Sequence, residues 1–147
     1  MLERLTEGVK ISMRRKKRSF VDTRKWYRYQ FFGNATVTVP KDKVVVNATI
    51  ANISFSGLGL YSSAPIGRGK SLKIKISFID RAGKVKEDIT AGKIDWQKKF
   101  RNTYLIGIIF DEELNIVNQP NLLEHLIWLI NTYNWPQPYK DKRIAML

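Results

Sequence analysis

The chain contains no cysteine, which excludes disulfides, thiolate metal sites and a cysteine nucleophile. It contains one histidine, His125, so the usual nucleophile–base pairs are missing. A lone histidine inside a helical pattern reads as structural. Carboxylates are scarce, with 13 Asp plus Glu against 26 Lys plus Arg, and none form a pair with acid/base spacing. Glu87 and Asp88 are adjacent, so on a strand they face opposite sides. Asp111, Glu112 and Glu113 sit together at a strand end, in a solvated turn. Gly67-Arg68-Gly69 is too short to cradle a phosphate, and metal ligands are too few. The chain is therefore read as a non-enzyme with no metal and no cofactor. No apolar run approaches about 20 residues, and the N-terminus lacks a signal-like apolar region. The expectation is a cytoplasmic protein without a membrane span. In that compartment Asn34-Ala-Thr, Asn47-Ala-Thr and Asn52-Ile-Ser carry no meaning as glycan acceptors.

What the chain has in excess is positive charge. Its 147 residues carry a formal +13, and 44% are hydrophobic. One ordinary domain with a core fits that length, and the charge predicts anionic partners. The excess is uneven: residues 1–30 hold ten Lys or Arg and three Asp or Glu. The reading is a basic arm over 1–19 with Arg14-Arg-Lys-Lys-Arg18 at its centre, a folded body over 20–135, and a basic tail over 136–147.

The body reads as β. Tyr27–Val39 is aromatic and β-branched and ends at Pro40. A turn at Lys41-Asp42 leads to Lys43–Ser54, and Leu58–Tyr61 forms a short third strand. Ser71–Ile79 alternates cleanly, with Leu72, Ile74, Ile76 and Phe78 on one side. Asp80–Gly83 turns the chain into Lys84–Phe100, a long strand with a bend or bulge expected near Gly92. Arg101-Asn102 turns it into Thr103–Asp111. Six strands joined by short turns predict a small antiparallel barrel or sandwich. The period then changes. A helix is expected from Pro120, capped by Asn118 or Asn121 and stopped by Pro136 and Pro138. Leu122, Leu123, Leu126, Ile127, Ile130 and Tyr133 form its apolar stripe, a width that suits a deep seat on the barrel or self-association.

Two short patterns carry binding chemistry. Arg24-Lys25-Trp26-Tyr27-Arg28 places two guanidinium groups four residues apart just before the first strand. An arginine fork reads guanine O6 and N7 and stacks on a base. Asn52-Ile53-Ser54-Phe55-Ser56-Gly57 puts an amide and a hydroxyl on one strand face. The amide can donate to and accept from a base edge, and Gly57 permits a positive φ or a close approach. A basic patch and a strand end with turn-forming residues are the plain readings of each pattern taken alone.

In this order and separation, Arg-x-x-x-Arg followed by Asn-x-Ser-x-x-Gly and "LGL" resembles the PilZ domain, the bacterial receptor module for cyclic di-GMP, over roughly residues 20–130. The resemblance implies a six-stranded antiparallel β-barrel with a C-terminal α-helix. It implies that Arg24 and Arg28 grip guanine and phosphate, that Asn52 reads a guanine edge, and that Ser54 and Gly57 complete the floor. Lys25 adds charge, and Trp96, in "KIDW", occupies a position where some members place an aromatic against the ligand. Arg14 and Arg18 also satisfy Arg-x-x-x-Arg but are not followed by a strand, so they read as an auxiliary arm able to reach the ligand. The expected partners are cyclic di-GMP and a separate downstream protein. Two other readings stay open: a basic β-barrel that binds RNA or single-stranded DNA through Trp26, Tyr27, Tyr29 and Phe31, and a nucleotide-independent PilZ-like adaptor that uses helix 120–134.

Overall fold

The structure is a computed structural model that describes residues 27–136. Its strands are β1 (Tyr29–Gln30), β2 (Gly33–Val39), β3 (Val44–Ile53), β4 (Gly57–Ser62), β5 (Ser71–Ile79), β6 (Val85–Phe100) and β7 (Thr103–Phe110), followed by helix α1 (Pro120–Thr132). Antiparallel pairing runs β2–β3–β4–β7–β6–β5 and closes from β5 back to β2. Closure leaves no long free edge. This is the six-stranded barrel expected from the sequence, with β1 outside it. The single expected strand 27–39 is broken at Phe31-Phe32. β1 pairs with Asn52 and Ile53 of β3, on the side of β3 that β2 occupies farther along.

Period-two alternation decides what goes inside. Val37, Ile74, Ile76, Leu58, Leu60, Ile106 and Ile108 are buried, while their neighbours along each strand face outward. Two elements close the barrel. At the upper end the β4–β5 loop joins strands on opposite sides of the barrel, and Ile66 is buried in the core. Its amide donates to Gln97 Oε1 at 2.8 Å. At the lower end α1 buries Leu122, Leu126 and Ile130. Leu123 and Leu129 pack alongside. Ile127 and Tyr133 are exposed, so the stripe is narrower than the sequence spacing predicts.

Three further expectations are sharpened or corrected. The bulge expected near Gly92 of β6 falls between Ile94 and Trp96. Gly92 is required instead because a Cβ there would meet the Ile109 carbonyl of the paired strand. The α1 N-cap is Gln119, without a side-chain cap of its own. The capping carboxylate comes from β6: Asp88 accepts from the Leu122 amide at 2.6 Å and from Asn121 Nδ2 at 3.2 Å. Negative charge at a helix N-terminus is favourable, and here it also fastens the helix to the sheet. The helix ends before Pro136. Asn134 adopts φ 54, and the Trp135 amide donates back to the Ile130 carbonyl at 2.9 Å, a left-handed cap that reverses the chain.

Candidate functional site

Asn52 lies near the lower end of β3, where its Cα partners are Gln30 on one side and Gly59 on the other. The same row continues through Gly107 to Trp96. Residues paired directly across strands share a face, so Gln30, Asn52, Gly59, Gly107 and Trp96 form one outward row. Adjacent strands sit about 4.8 Å apart. Two glycines therefore separate Asn52 from Trp96 and leave a shelf two strands wide.

Side chains lean over the shelf from both sides. The Asn52 amide covers Gly59, whose hypothetical Cβ would stand 3.1 Å from Oδ1 and 3.3 Å from Nδ2. The Trp96 indole lies over Gly107, where a Cβ would run into Nε1, Cε2 and Cδ1. Trp96 is 42% exposed, so it is a surface ring and not a core residue. The bulge just before it turns its side chain outward, because one extra residue shifts the alternation. Glycines in the middle of apolar strands, "LGL" and "IGI", are the sequence signal for such an approach. Gly59 and Gly107 are the two residues of this row that motif reasoning passed over.

Arg28 joins the row from β1's lead-in. Its Nη1 donates to Asn52 Oδ1 at 2.9 Å. That bond fixes which end of the amide faces the guanidinium and keeps the fork beside the shelf. Arg24, Lys25 and Arg18 lie outside the described residues.

Ser54 and Gly57 have a different place from Asn52. Ser54 is 2% exposed, and its Oγ accepts from the Ser56 and Gly57 amides at 3.2 and 3.1 Å. The hydroxyl lies 3.3 Å from the Gly57 carbonyl. It organises the β3–β4 turn from within. Gly57 is not among the glycines with positive φ; a Cβ there would collide with the Ile108 carbonyl. Serine and glycine thus set the turn that holds Asn52 at the strand end, while Asn52, Arg28 and Trp96 present polar and aromatic surface.

A ladder of rings ties this corner to the helix. Tyr29, next to Arg28, stacks on Trp135 at 5.5 Å, and its hydroxyl donates to the Pro136 carbonyl at 2.8 Å. Burial, then the neighbouring Tyr27, pushes the Tyr29 hydroxyl up to about 12. Trp135 stacks on Tyr133, Tyr133 meets Trp128 edge-on, and Trp128 stacks on His125. His125 stacks on Phe78 at 4.7 Å. Burial among these rings lowers the His125 pKa, against the opposing pull of Asp80. A neutral imidazole inside an aromatic stack is structural, in agreement with the sequence reading. Two surface depressions, of ≈ 580 and ≈ 510 Å³, lie elsewhere, around Gln119 and around Asn47; the two shelf glycines themselves are buried beneath the Asn52 and Trp96 side chains. Among the described residues no cluster of three or more His, Asp or Glu could hold a metal ion, and no helix is long and apolar enough to cross a membrane.

The chain thus combines a closed six-stranded barrel and a C-terminal helix with an arginine–asparagine pair on the barrel surface. The PilZ domain family model matches residues 22–129, and the chain belongs to the PilZ domain family. Among solved structures it is similar to the PilZ domain of YcgR from Escherichia coli, determined with c-di-GMP. The TM-score there is 0.56 at 14% identity, over 77% of this chain and 95% of that one. It is also similar to the Bacillus subtilis inhibitor of motility MotI/DgrA, with TM-score 0.58 at 13% identity over 76% of this chain. This chain spans 53% of that protein. At these identities the likeness is one of fold. No curated protein matches the sequence.

Proposed function

We propose that this protein is a cyclic di-GMP receptor without catalytic chemistry of its own, which passes the signal to a separate protein in the cytoplasm. The observation that carries the reading is the Arg28–Asn52 hydrogen bond beside a two-glycine shelf bounded by an exposed indole. The ligand combines flat purines with phosphodiesters. The glycines let the Asn52 amide and the Trp96 indole lie close against the barrel, and a purine plane can stack on the exposed face of that indole. Its polar edge meets the Asn52 amide, which keeps donor capacity when Oδ1 accepts from Arg28. Phosphate and guanine acceptors suit the Arg28 fork. Arg24 and Lys25 precede Arg28 by four and three residues and are assigned to the same ligand, with Arg18 as an auxiliary contact from the arm. Ser54 and Gly57 serve by shaping the turn beneath Asn52.

Isothermal titration with cyclic di-GMP tests the proposal and reports stoichiometry. A folded sample that gives no heat at micromolar nucleotide overturns it. A rise in melting midpoint with ligand is the independent readout, because a ligand of the native state must stabilise it.

A further inference from the structure

The two ends of the barrel carry opposite charge. Nine Asp or Glu fall among the described residues, and seven lie at the lower end: Asp80, Glu87, Asp88, Asp111, Glu112, Glu113 and Glu124. The upper end is built from the β2–β3 turn, the β4–β5 loop and the β6–β7 hairpin. It holds Lys41, Lys43, Arg68, Lys70, Lys98, Lys99 and Arg101. Its two carboxylates are Asp42, paired with Lys70 at 2.7 Å, and Asp95. The lower end also holds Arg28, Arg81, Lys84 and Lys86, so among the described residues carboxylates outnumber cations there, while the upper end is a cationic rim.

Apolar side chains stand among those cations. β6 loses its β5 partner after Lys93, while its pairing with β7 continues to Phe100. The β6–β7 hairpin thus projects past the β5 edge. At its tip Phe100 is 59% exposed, with Lys98, Lys99 and Arg101 around it. The Arg101 guanidinium lies 5.5 Å from the Phe100 ring, and Lys99 lies 5.8 Å from the Tyr104 ring. Across the mouth the β2–β3 turn repeats the pattern, with Val44 and Val45 exposed next to Lys41 and Lys43.

We propose that this upper rim is a docking surface for an anionic lipid bilayer, in which Phe100, Val44 and Val45 enter the interface while the surrounding lysines and arginines meet lipid phosphates. Long cationic side chains keep their heads in the polar layer while their stems lie along apolar surface. Each basic residue near an anionic membrane contributes about 1 kcal/mol, and combined apolar and cationic signals are what make such binding stable. The arrangement suits a plane better than a strand of nucleic acid. The apolar tips sit on two separate hairpins across a barrel mouth, whereas single-stranded nucleic acid uses successive rings along a groove.

Co-sedimentation with phosphatidylcholine/phosphatidylglycerol vesicles, against pure phosphatidylcholine vesicles, tests this on the full chain. The variant Lys99→Ala/Phe100→Ala/Arg101→Ala spares Trp96 and Lys98, and is checked for an unchanged melting curve. Partitioning to anionic vesicles should fall about tenfold or more, because two charges and the apolar tip are lost together. Phe100→Ala alone should weaken it by a smaller factor, and inorganic phosphate at matched ionic strength should not compete. Unaltered partitioning of the triple variant overturns the proposal, since the arm 1–19 would then carry the charge attraction. Retention of a single-stranded oligonucleotide that depends on these three residues, without vesicle binding, overturns it too.

Discussion

The lower and upper ends of the barrel invert what net charge alone suggests. Among the described residues the upper end is the more cationic, yet its arginines and lysines stand on separate turns and none is held by a base-reading partner. The lower end is richer in carboxylates than in cations, and it is there that Arg28 is fixed to Asn52 at 2.9 Å beside a shelf without Cβ atoms. Long-range charge governs which molecules approach and how fast. Recognition needs a few groups whose positions are settled before the ligand arrives. A count of 26 basic residues describes the first property and is silent on the second.

The sharpest way to separate the ends is to remove one cation from each. Arg28→Ala should weaken cyclic di-GMP binding by roughly 1.5–3 kcal/mol, since hydrogen bonds to charged groups carry about that much. Asn52→Ala should weaken it by a smaller amount. Arg28→Lys keeps the charge but loses the fork and should recover only part of the affinity. Arg101→Ala at the upper rim should leave nucleotide affinity unchanged. Equal losses at Arg28 and Arg101 in calorimetry would mean that the ligand senses bulk charge and that the Arg28–Asn52 pair is no site.

The glycines of the site divide the same way. Gly57→Ala pushes a methyl into the Ile108 carbonyl. Backbone cannot swing aside, so a loss of about 1–3 kcal/mol in urea unfolding is expected. Gly107→Ala meets the Trp96 indole first, a side chain on the barrel surface. It should cost less in unfolding than Gly57→Ala, shift the tryptophan emission and weaken the nucleotide by displacing the indole. If both variants lose stability alike, Trp96 is fixed more firmly than its exposure indicates.

Much of this was legible in the sequence, for local reasons. Strands with clean alternation, such as Ser71–Ile79, and turns with Asp, Asn or Gly were placed closely because periodicity and turn chemistry are properties of neighbouring residues. Of the Arg24/Arg28 and Asn52/Ser54/Gly57 motifs, the structure brings Arg28 and Asn52 together at 2.9 Å. What stayed hidden depends on pairing across the barrel. Nothing near residue 120 shows that its cap is Asp88, 34 residues earlier. The row from Asn52 through Gly59 and Gly107 to Trp96 exists only once four strands are in register. Ser54 looked like a ligand contact because strand alternation puts it beside Asn52; the turn that buries it begins at that same residue.

Asp88 tests how much of the lower end rests on its helix. Asp88→Ala removes the only side-chain cap seen on α1, and losses of about 1 kcal/mol are usual for a lost cap. The upper end should be untouched, so amide exchange should quicken in α1 while the β6–β7 hairpin keeps its protection. Uniform quickening across both ends would show that the helix is not a separable unit.

The smallest expected effects are on pH, and they too belong to the lower end. Burial keeps the His125 pKa below its unfolded value, so the unfolded chain takes up the proton more readily. Stability is full above the ordinary histidine range near 6.5 and declines as pH falls through it. The Asp80 carboxyl is lowered chiefly by the Lys84 amide and acts only in the carboxylate range, well below that window. Tyr29 works from the other side. Its pKa of about 12 lies above the unfolded value near 10, so its contribution is complete below pH 10 and fades as pH rises toward 12. The melting midpoint should therefore sag on both flanks. His125→Gln should flatten the acid flank, after correction for the lost ring stacking, and Tyr29→Phe the alkaline one, because phenylalanine keeps the stack on Trp135 and drops the hydroxyl. An acid flank that persists in His125→Gln would place the titrating group elsewhere, and the carboxylates packed around α1 would be the next to replace.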